Sequence, residues 1–159
     1  MGPGIGNMEF GHYRSLDDTA GGNPFINNSE LRYLVGYEQE ILPELTGGIQ
    51  YYVEQLLNYD SYRASFPEGG HPRDEFRQVI TFRLTKLLLN QNLRLSLFDF
   101  FSPSDQDTYL RAHANYKVTD RWQTELGTNF FTGSHDHTFF GQFEDASNVY
   151  LAVRYSFVS

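Results

Sequence analysis

Ser134-His135-Asp136-His137 sets two imidazoles at H-x-H spacing, close enough to meet one ion from the same side of a strand. A third ligand could come nearby only from Asp136, Glu144 or Asp145, and exposed loop histidines are common, so no metal is expected. Ser134 beside His135 is the nearest serine–histidine pairing, but no strand positions a carboxylate to orient the imidazole. There is no G-x-S-x-G, and the glycines from Gly2 to Gly6 precede no helix, so neither an acyl-transfer elbow nor a phosphate cradle is expected. His113 reads as a hydrogen-bonded interior residue rather than a catalytic base. The expectation is a non-enzymatic protein without a cofactor. What remains is a set of charges that recur in phase: Arg32, Arg77, Arg83, Arg94, Arg111, Lys117 and Arg154 against Glu9, Glu38, Glu40, Glu54 and Glu125. On one enclosed face they would form an ion-pair network; lining a pore they would give a wall biased toward anions.

These charges share a face only if the chain is extended, because side chains alternate sides along a strand. The alternation is sustained. Leu31, Tyr33, Val35, Tyr37 and Ile41 oppose Arg32, Gly36, Glu38 and Glu40. Leu45, Gly47, Ile49, Tyr51, Val53, Leu57 and Tyr59 oppose Thr46, Gln50, Glu54 and Asn58. Phe76, Ile80, Phe82 and Leu84 oppose Arg77, Thr81 and Arg83, and Leu93, Leu95 and Leu97 oppose Arg94 and Ser96. Leu110, Ala112, Ala114, Tyr116 and Val118 oppose Arg111, His113, Asn115 and Lys117. Trp122, Thr124, Leu126 and Phe130 oppose Gln123, Glu125 and Asn129, and Val149, Leu151, Val153, Tyr155 and Phe157 oppose Asn148, Ala152, Arg154 and Ser156. A weaker strand around Met8 and Phe10 opens the series. The expected strands run to roughly ten to fourteen residues, longer than the five or six typical of globular proteins and close to the nine to eleven that cross a bilayer.

The connections alternate in length. Tight turns are expected at Leu42-Pro43-Glu44, Leu89-Asn90-Gln91 and Thr119-Asp120-Arg121, and long polar loops at Ser15–Ser29, Asp60–Asp74 and Ser134–Ala146, with a short fourth at Ser102–Asp107. No helical period interrupts the strands. The loops gather acid (Asp17, Asp18, Asp60, Asp74, Glu75, Asp105, Asp107, Asp136, Glu144, Asp145), which serves solubility or divalent-cation binding.

Composition alone points elsewhere. The 159 residues carry 12 Lys and Arg against 20 Asp and Glu, a formal charge of −8, and no cysteine. The acidic balance argues against a nucleic-acid partner, the missing cysteines exclude disulfides and thiolate sites, and no run is long and apolar enough for a spanning helix. Met1-Gly2-Pro3-Gly4 has neither the basic nor the apolar region of a signal peptide. The average is that of a soluble acidic globule. Aromatic residues nevertheless make up 16% of the chain, and Tyr33, Tyr37, Tyr51, Tyr59, Phe76, Tyr116 and Trp122 sit near expected strand ends on the apolar face, where an amphipathic ring bridges oil and water.

The last expected strand, Val149-x-Leu151-x-Val153-x-Tyr155-x-Phe157, closely resembles the C-terminal signal strand of Gram-negative outer-membrane β-barrels, with Val158-Ser159 departing from the usual terminal aromatic. The resemblance covers the whole chain in layout and is specific only in this strand. It implies an all-β, eight-stranded antiparallel up-and-down transmembrane β-barrel occupying residues 1–159 as one domain, or the closing half of a larger porin-like barrel. It also implies outer-membrane lipid and the barrel-assembly machinery as partners, periplasmic termini, and a polar, ion-paired lumen built from the charges above. Eight-stranded lipid A deacylases and palmitoyltransferases share that layout, but their serine–histidine pairing has no counterpart here. The expected role is structural or barrel-forming. Alternatives are a diffusion channel with mild anion preference and a soluble lipocalin-like barrel whose aromatic face surrounds a ligand.

Overall fold

Eight strands follow one another in the sheet in chain order, each antiparallel to the next: β1 (Ile5–Tyr13), β2 (Glu30–Leu42), β3 (Leu45–Leu56), β4 (Phe76–Leu88), β5 (Leu93–Ser102), β6 (Asp107–Lys117), β7 (Trp122–Gly133) and β8 (Asn148–Tyr155). The computed structural model describes residues 3–157. Met1-Gly2, at the start of the segment tested for a signal peptide, and Val158-Ser159, the departure from the terminal aromatic, lie outside the described residues. Strand lengths of 8 to 13 residues include a β1 longer than its weak pattern suggests, paired along its whole length from Ile5 opposite Glu38 to Tyr13 opposite Glu30.

The expected closed barrel is not what forms. Among the described residues β1 pairs only with β2 and β8 only with β7, so the sheet is open and has two free edges. Alternation fixes neighbours and faces, but closure also requires radius, tilt and stagger to agree. An eight-stranded closed barrel has room for little beyond its own side chains. Here the charged face carries Arg83, Phe98, Phe100, Tyr109, Arg111, Phe131 and Tyr150 and also receives a loop, bulk that resists closure at eight strands. The arc curls toward the charged face: Asn7 of β1 and Phe98 of β5 line one cavity there together with Glu38, Gln50, Thr81 and Arg83.

Two short helices occur where none was expected. One, α1 (Tyr59–Ser65), follows β3, which ends at Leu56 rather than Tyr59. Tyr59 therefore begins a helix and is not a strand-end residue. The change is local: Asn58 adopts the left-handed conformation (φ 55°) that turns the chain out of the strand, and Tyr62 is buried against Phe66 (ring centroids 5.4 Å apart) while its hydroxyl accepts from the Arg73 backbone N–H at 3.2 Å. The other is a 3-10 turn, Gly141–Ala146, in the last loop. That loop folds inward. The buried Asp107 accepts the Phe140 N–H at 2.7 Å, and Phe140 sits edge-on to Phe100 with centroids 4.9 Å apart. Asp107 thus anchors a loop rather than contributing to a solvated acidic rim. Gly133 is required beneath it, since a Cβ there would stand 2.8 Å from the Gly141 Cα.

The remaining connections follow the expected alternation. Pro43-Glu44, residues 89–92 and residues 118–121 turn tightly at one end of the strands, with left-handed Glu44, Leu89, Asn90 and Gln91. The long loops gather at the other end, where Asn28 and Ser29 tie the first loop to Leu57. In that first loop the Asp18 carboxyl is held below its ordinary range, chiefly by the Asn23 backbone N–H at 2.6 Å.

Apolar burial is small. Among the described residues Leu56, Tyr62, Val79 and Phe140 are the buried hydrophobic side chains, whereas 29 large apolar ones are exposed. The chain exposes 10714 Å², against about 8,200 Å² expected for a globular monomer of 18.4 kDa.

Candidate functional site on the charged face

Period-two alternation places cross-strand partners on the same side, so register decides which charges can meet. Arg32, Glu54 and Arg77 fall in one row across β2, β3 and β4. They form the centre of a chain of ion pairs at the loop end. Arg32 contacts Glu30 at 2.8 Å and Glu54 at 3.9 Å; Arg73 bridges Glu30 (2.9 Å) and Glu54 (3.2 Å); Arg77 bridges Glu54 (3.3 Å) and Asp105 (2.6 Å). The Tyr52 hydroxyl donates to Glu54 at 2.9 Å. Three guanidinium groups thus meet three carboxylates, and the two central carboxylates are nearly enclosed, with Glu30 4% and Glu54 13% exposed at the side chain. Burial of charge is tolerated on these terms, pairing plus further hydrogen bonds. Above the cluster lies a cavity of about 590 Å³ roofed by the loops. His71 of the β3–β4 loop stacks on His137 of the β7–β8 loop at 3.8 Å, and Phe139 lies 5.8 Å from the Arg77 guanidinium carbon.

A second, smaller cluster joins β6, β7 and β8. Tyr150 donates to Glu125 at 2.6 Å and accepts from Arg111 at 3.0 Å, while Arg111 reaches Glu125 at 3.5 Å. Gly127 makes room for it, because the Tyr150 ring lies 2.5 Å from where a Cβ would stand. At the turn end Lys117 pairs with Asp120 at 2.7 Å, and this hydrogen bond holds the Asp120 carboxyl below its ordinary range.

The expected network is therefore two clusters and a remainder. Arg83, Arg94, Arg154, Glu38 and Glu40 share the face but make no salt bridge among the described residues. Arg83 stands over the Phe98 ring at 5.8 Å, and Glu40 accepts the Glu44 backbone N–H at 2.9 Å. Glu30, Arg73 and Asp105 belong to the loop-end cluster and were missed. Glu30 was legible, since it is in phase with Arg32 one step before the expected start of β2. Arg73 and Asp105 are loop residues brought in by tertiary folding, and Asp105 is drawn from the supposedly solvated acidic set. Also missed was an aromatic wall inside the charged face: Tyr109 stacks on Phe131 at 4.7 Å, beside Phe98, Phe100 and Phe140.

No protein-family model, curated protein or solved structure matches the chain.

The motifs weighed for catalysis and metal binding lie at the loop rim. Ser134 donates its backbone N–H to Gln106, and the His135 carbonyl accepts from the Thr138 hydroxyl at 2.9 Å. Among the described residues no three His, Asp or Glu side chains converge as metal ligands.

The opposite face is apolar from β1 to β8. Met8, Val35, Ile49, Phe82, Leu95, Leu126, Phe130, Val149, Leu151 and Val153 are exposed along it. Tyr33 and Tyr51 donate their hydroxyls to Gln55 and Gln78 toward the loop end, and Tyr37 donates to Gln39. At the turn end Trp122 packs on Tyr155 and Tyr155 on Phe157, both at 4.8 Å, near Tyr116. β8 ends at Tyr155, although the Ser156 N–H still bonds to the Arg121 carbonyl. Two charges interrupt this face. Lys86 donates to the Pro43 carbonyl at 2.8 Å beside the turn. Asp99, unforeseen, sits between Phe82 and Leu110.

Proposed function

We propose that this chain is a sector of an outer-membrane-type β-barrel, with its apolar face against lipid, its charged face lining an aqueous lumen and its two free edges continued by further strands. One observation carries the reading: apolar and polar faces are inverted relative to a water-soluble protein. Most exposed apolar side chains lie on one face, and the cavities of the other face are walled mainly by Arg, Glu, His and Tyr, with Phe98 and Phe139 among them. A contiguous apolar face spanning eight strands far exceeds the few hundred Å² that soluble monomers expose. Strands of 8 to 13 residues suit a bilayer crossing, and aromatic residues toward both ends of the strands suit its interfaces. In hydrocarbon an open edge leaves backbone groups unpaired at several kcal/mol each, so the lipid-embedded form requires partners for β1 and β8. A larger barrel supplies them and suits the bulky charged face; for the chain on its own, a second copy paired edge to edge supplies them.

A soluble ligand-binding barrel would need the reverse arrangement, with a mainly apolar cavity wall and the charges outside. The test is direct. The chain is expected to require detergent or lipid to stay dispersed, and to migrate differently on a detergent gel before and after boiling. A monodisperse monomer in plain buffer would defeat the proposal.

Asp99 gives a second measurement. A carboxylate amid Phe82, Leu97, Phe101 and Leu110 is costly if that face meets lipid, so Asp99→Leu is expected to stabilise the vesicle-embedded form by about 1–2 kcal/mol. Urea unfolding in vesicles would read this as a raised midpoint; a lowered one counts against lipid contact at β5.

A further inference from the structure

The turn-end half of the charged face has a different balance from the loop end. Arg83, Arg94, Arg111, Lys117 and Arg154 come from β4, β5, β6 and β8, whereas Glu125 is the carboxylate those strands and β7 place among them, and it is engaged by Tyr150 and Arg111. Lys117 is taken by Asp120. Arg83, Arg94 and Arg154 are left with no carboxylate partner among the described residues. Two adjoining cavities follow this strip. One of about 430 Å³ is bounded by Arg83, Arg94, Arg111, His113, Phe98 and Tyr109. The next, of about 400 Å³, shares Arg94 and His113 and extends to Lys117 and Arg154. Arg111 Nε and His113 Nδ1 are buried without a hydrogen-bond partner among the described residues.

The wall is not only cationic. Phe98 and Tyr109 stand edge to face at 6.5 Å, with the Arg83 guanidinium over Phe98. A bare inorganic anion would leave this aromatic surface unused. We propose that the strip binds small organic carboxylates carrying an apolar, ring-sized body, with the carboxylate against the guanidinium groups of Arg94 and Arg83 and the ring against Phe98 and Tyr109. Planar guanidinium groups match a carboxylate's two oxygens, and pockets of this size hold small ligands. The inference rests on the charged face being the lumen.

The experiment uses the full chain folded in detergent and first shown to be heat-modifiable, with benzoate as the probe in equilibrium dialysis. Benzyl alcohol, of similar shape but neutral, controls for uptake by micelles, and inorganic phosphate tests charge alone. Benzoate is expected to bind saturably and more tightly than phosphate, and Arg83→Gln and Arg94→Gln are each expected to weaken it by about tenfold. Arg94→Lys should recover part of the loss, Phe98→Leu should weaken benzoate but not phosphate, and Glu40→Gln should change nothing. Non-saturable uptake like that of benzyl alcohol, unchanged affinity in both arginine variants, or phosphate binding as tightly as benzoate would overturn the proposal. A heat-modifiable sample that fails to bind overturns the strip alone, whereas a chain that never becomes heat-modifiable overturns the membrane reading and the strip with it.

Discussion

Leu126→Arg is expected to abolish stable insertion. Leu126 lies near the middle of β7 on the apolar face, 55% exposed, opposite Ala114 and Leu151. If that face meets hydrocarbon, an arginine near the midplane costs about 2–4 kcal/mol. If it meets water, the same substitution removes an exposed leucine and should stay within about 0.5 kcal/mol. The two readings are thus separated by at least a factor of ten in the folded-to-unfolded ratio. The measurement is the urea midpoint in vesicles, together with the fraction of chain that reaches the heat-modifiable form. Gln123→Glu, three residues earlier on the charged face and between Lys117 and Arg154, controls for an added charge and should not destabilise. Equal effects at both positions would mean that β7 does not divide lipid from water.

The alternation that identifies Leu126 was visible in the sequence because a strand repeats every two residues, and a one-residue slip would invert every side chain. Faces and neighbour order were therefore legible: Arg32, Glu54 and Arg77 could be assigned to one side, and they lie in one row. Register was not legible. It decides that Glu54 lies beside Arg77 while Glu38 lies opposite Gly48, next to Arg83 and out of salt-bridge reach. Treating the face as one network assumed that charges on a side are charges in contact, whereas cross-strand neighbours interact over only about 5 Å.

Loops were the least legible part for a physical reason. Asp105 and Asp107 have the composition of a solvated acidic turn, yet Asp105 meets Arg77 and Asp107 is buried beneath Phe140. Both depend on tertiary contacts that no local pattern encodes. A signal was present in the last loop nonetheless, since Phe139-Phe140 and Phe143 are too apolar for a segment wholly in water. The inner wall of Phe98, Phe100, Tyr109 and Phe131 is where Phe140 docks. The same wall accounts for part of the aromatic surplus, which serves two surfaces, the exposed apolar face and a loop-bearing patch on the charged face.

Arg77→Ala is expected to be the most damaging truncation on the charged face. Arg77 is 17% exposed at the side chain and joins Glu54 (13%) to Asp105 (23%). Its loss leaves Glu54 with Arg73 and Arg32, but Asp105 keeps only the Ser102 hydroxyl, at 3.0 Å, and its neighbouring turn. Removing one partner of a buried pair typically costs about 3–5 kcal/mol, and partial solvent access here brings the expectation to about 2–3 kcal/mol. Arg32→Ala, at a side chain 48% exposed, should cost less than about 1 kcal/mol. Adding Asp105→Asn to an Arg77→Met background removes the one stranded charge as well as the cation, and should restore most of the loss, because replacing both partners of a buried pair by neutral groups of similar volume is often nearly neutral. Urea midpoints in detergent for the single and double variants provide the comparison. If the double variant is no more stable than Arg77→Ala, the cost lies in packing beneath the loops rather than in uncompensated charge.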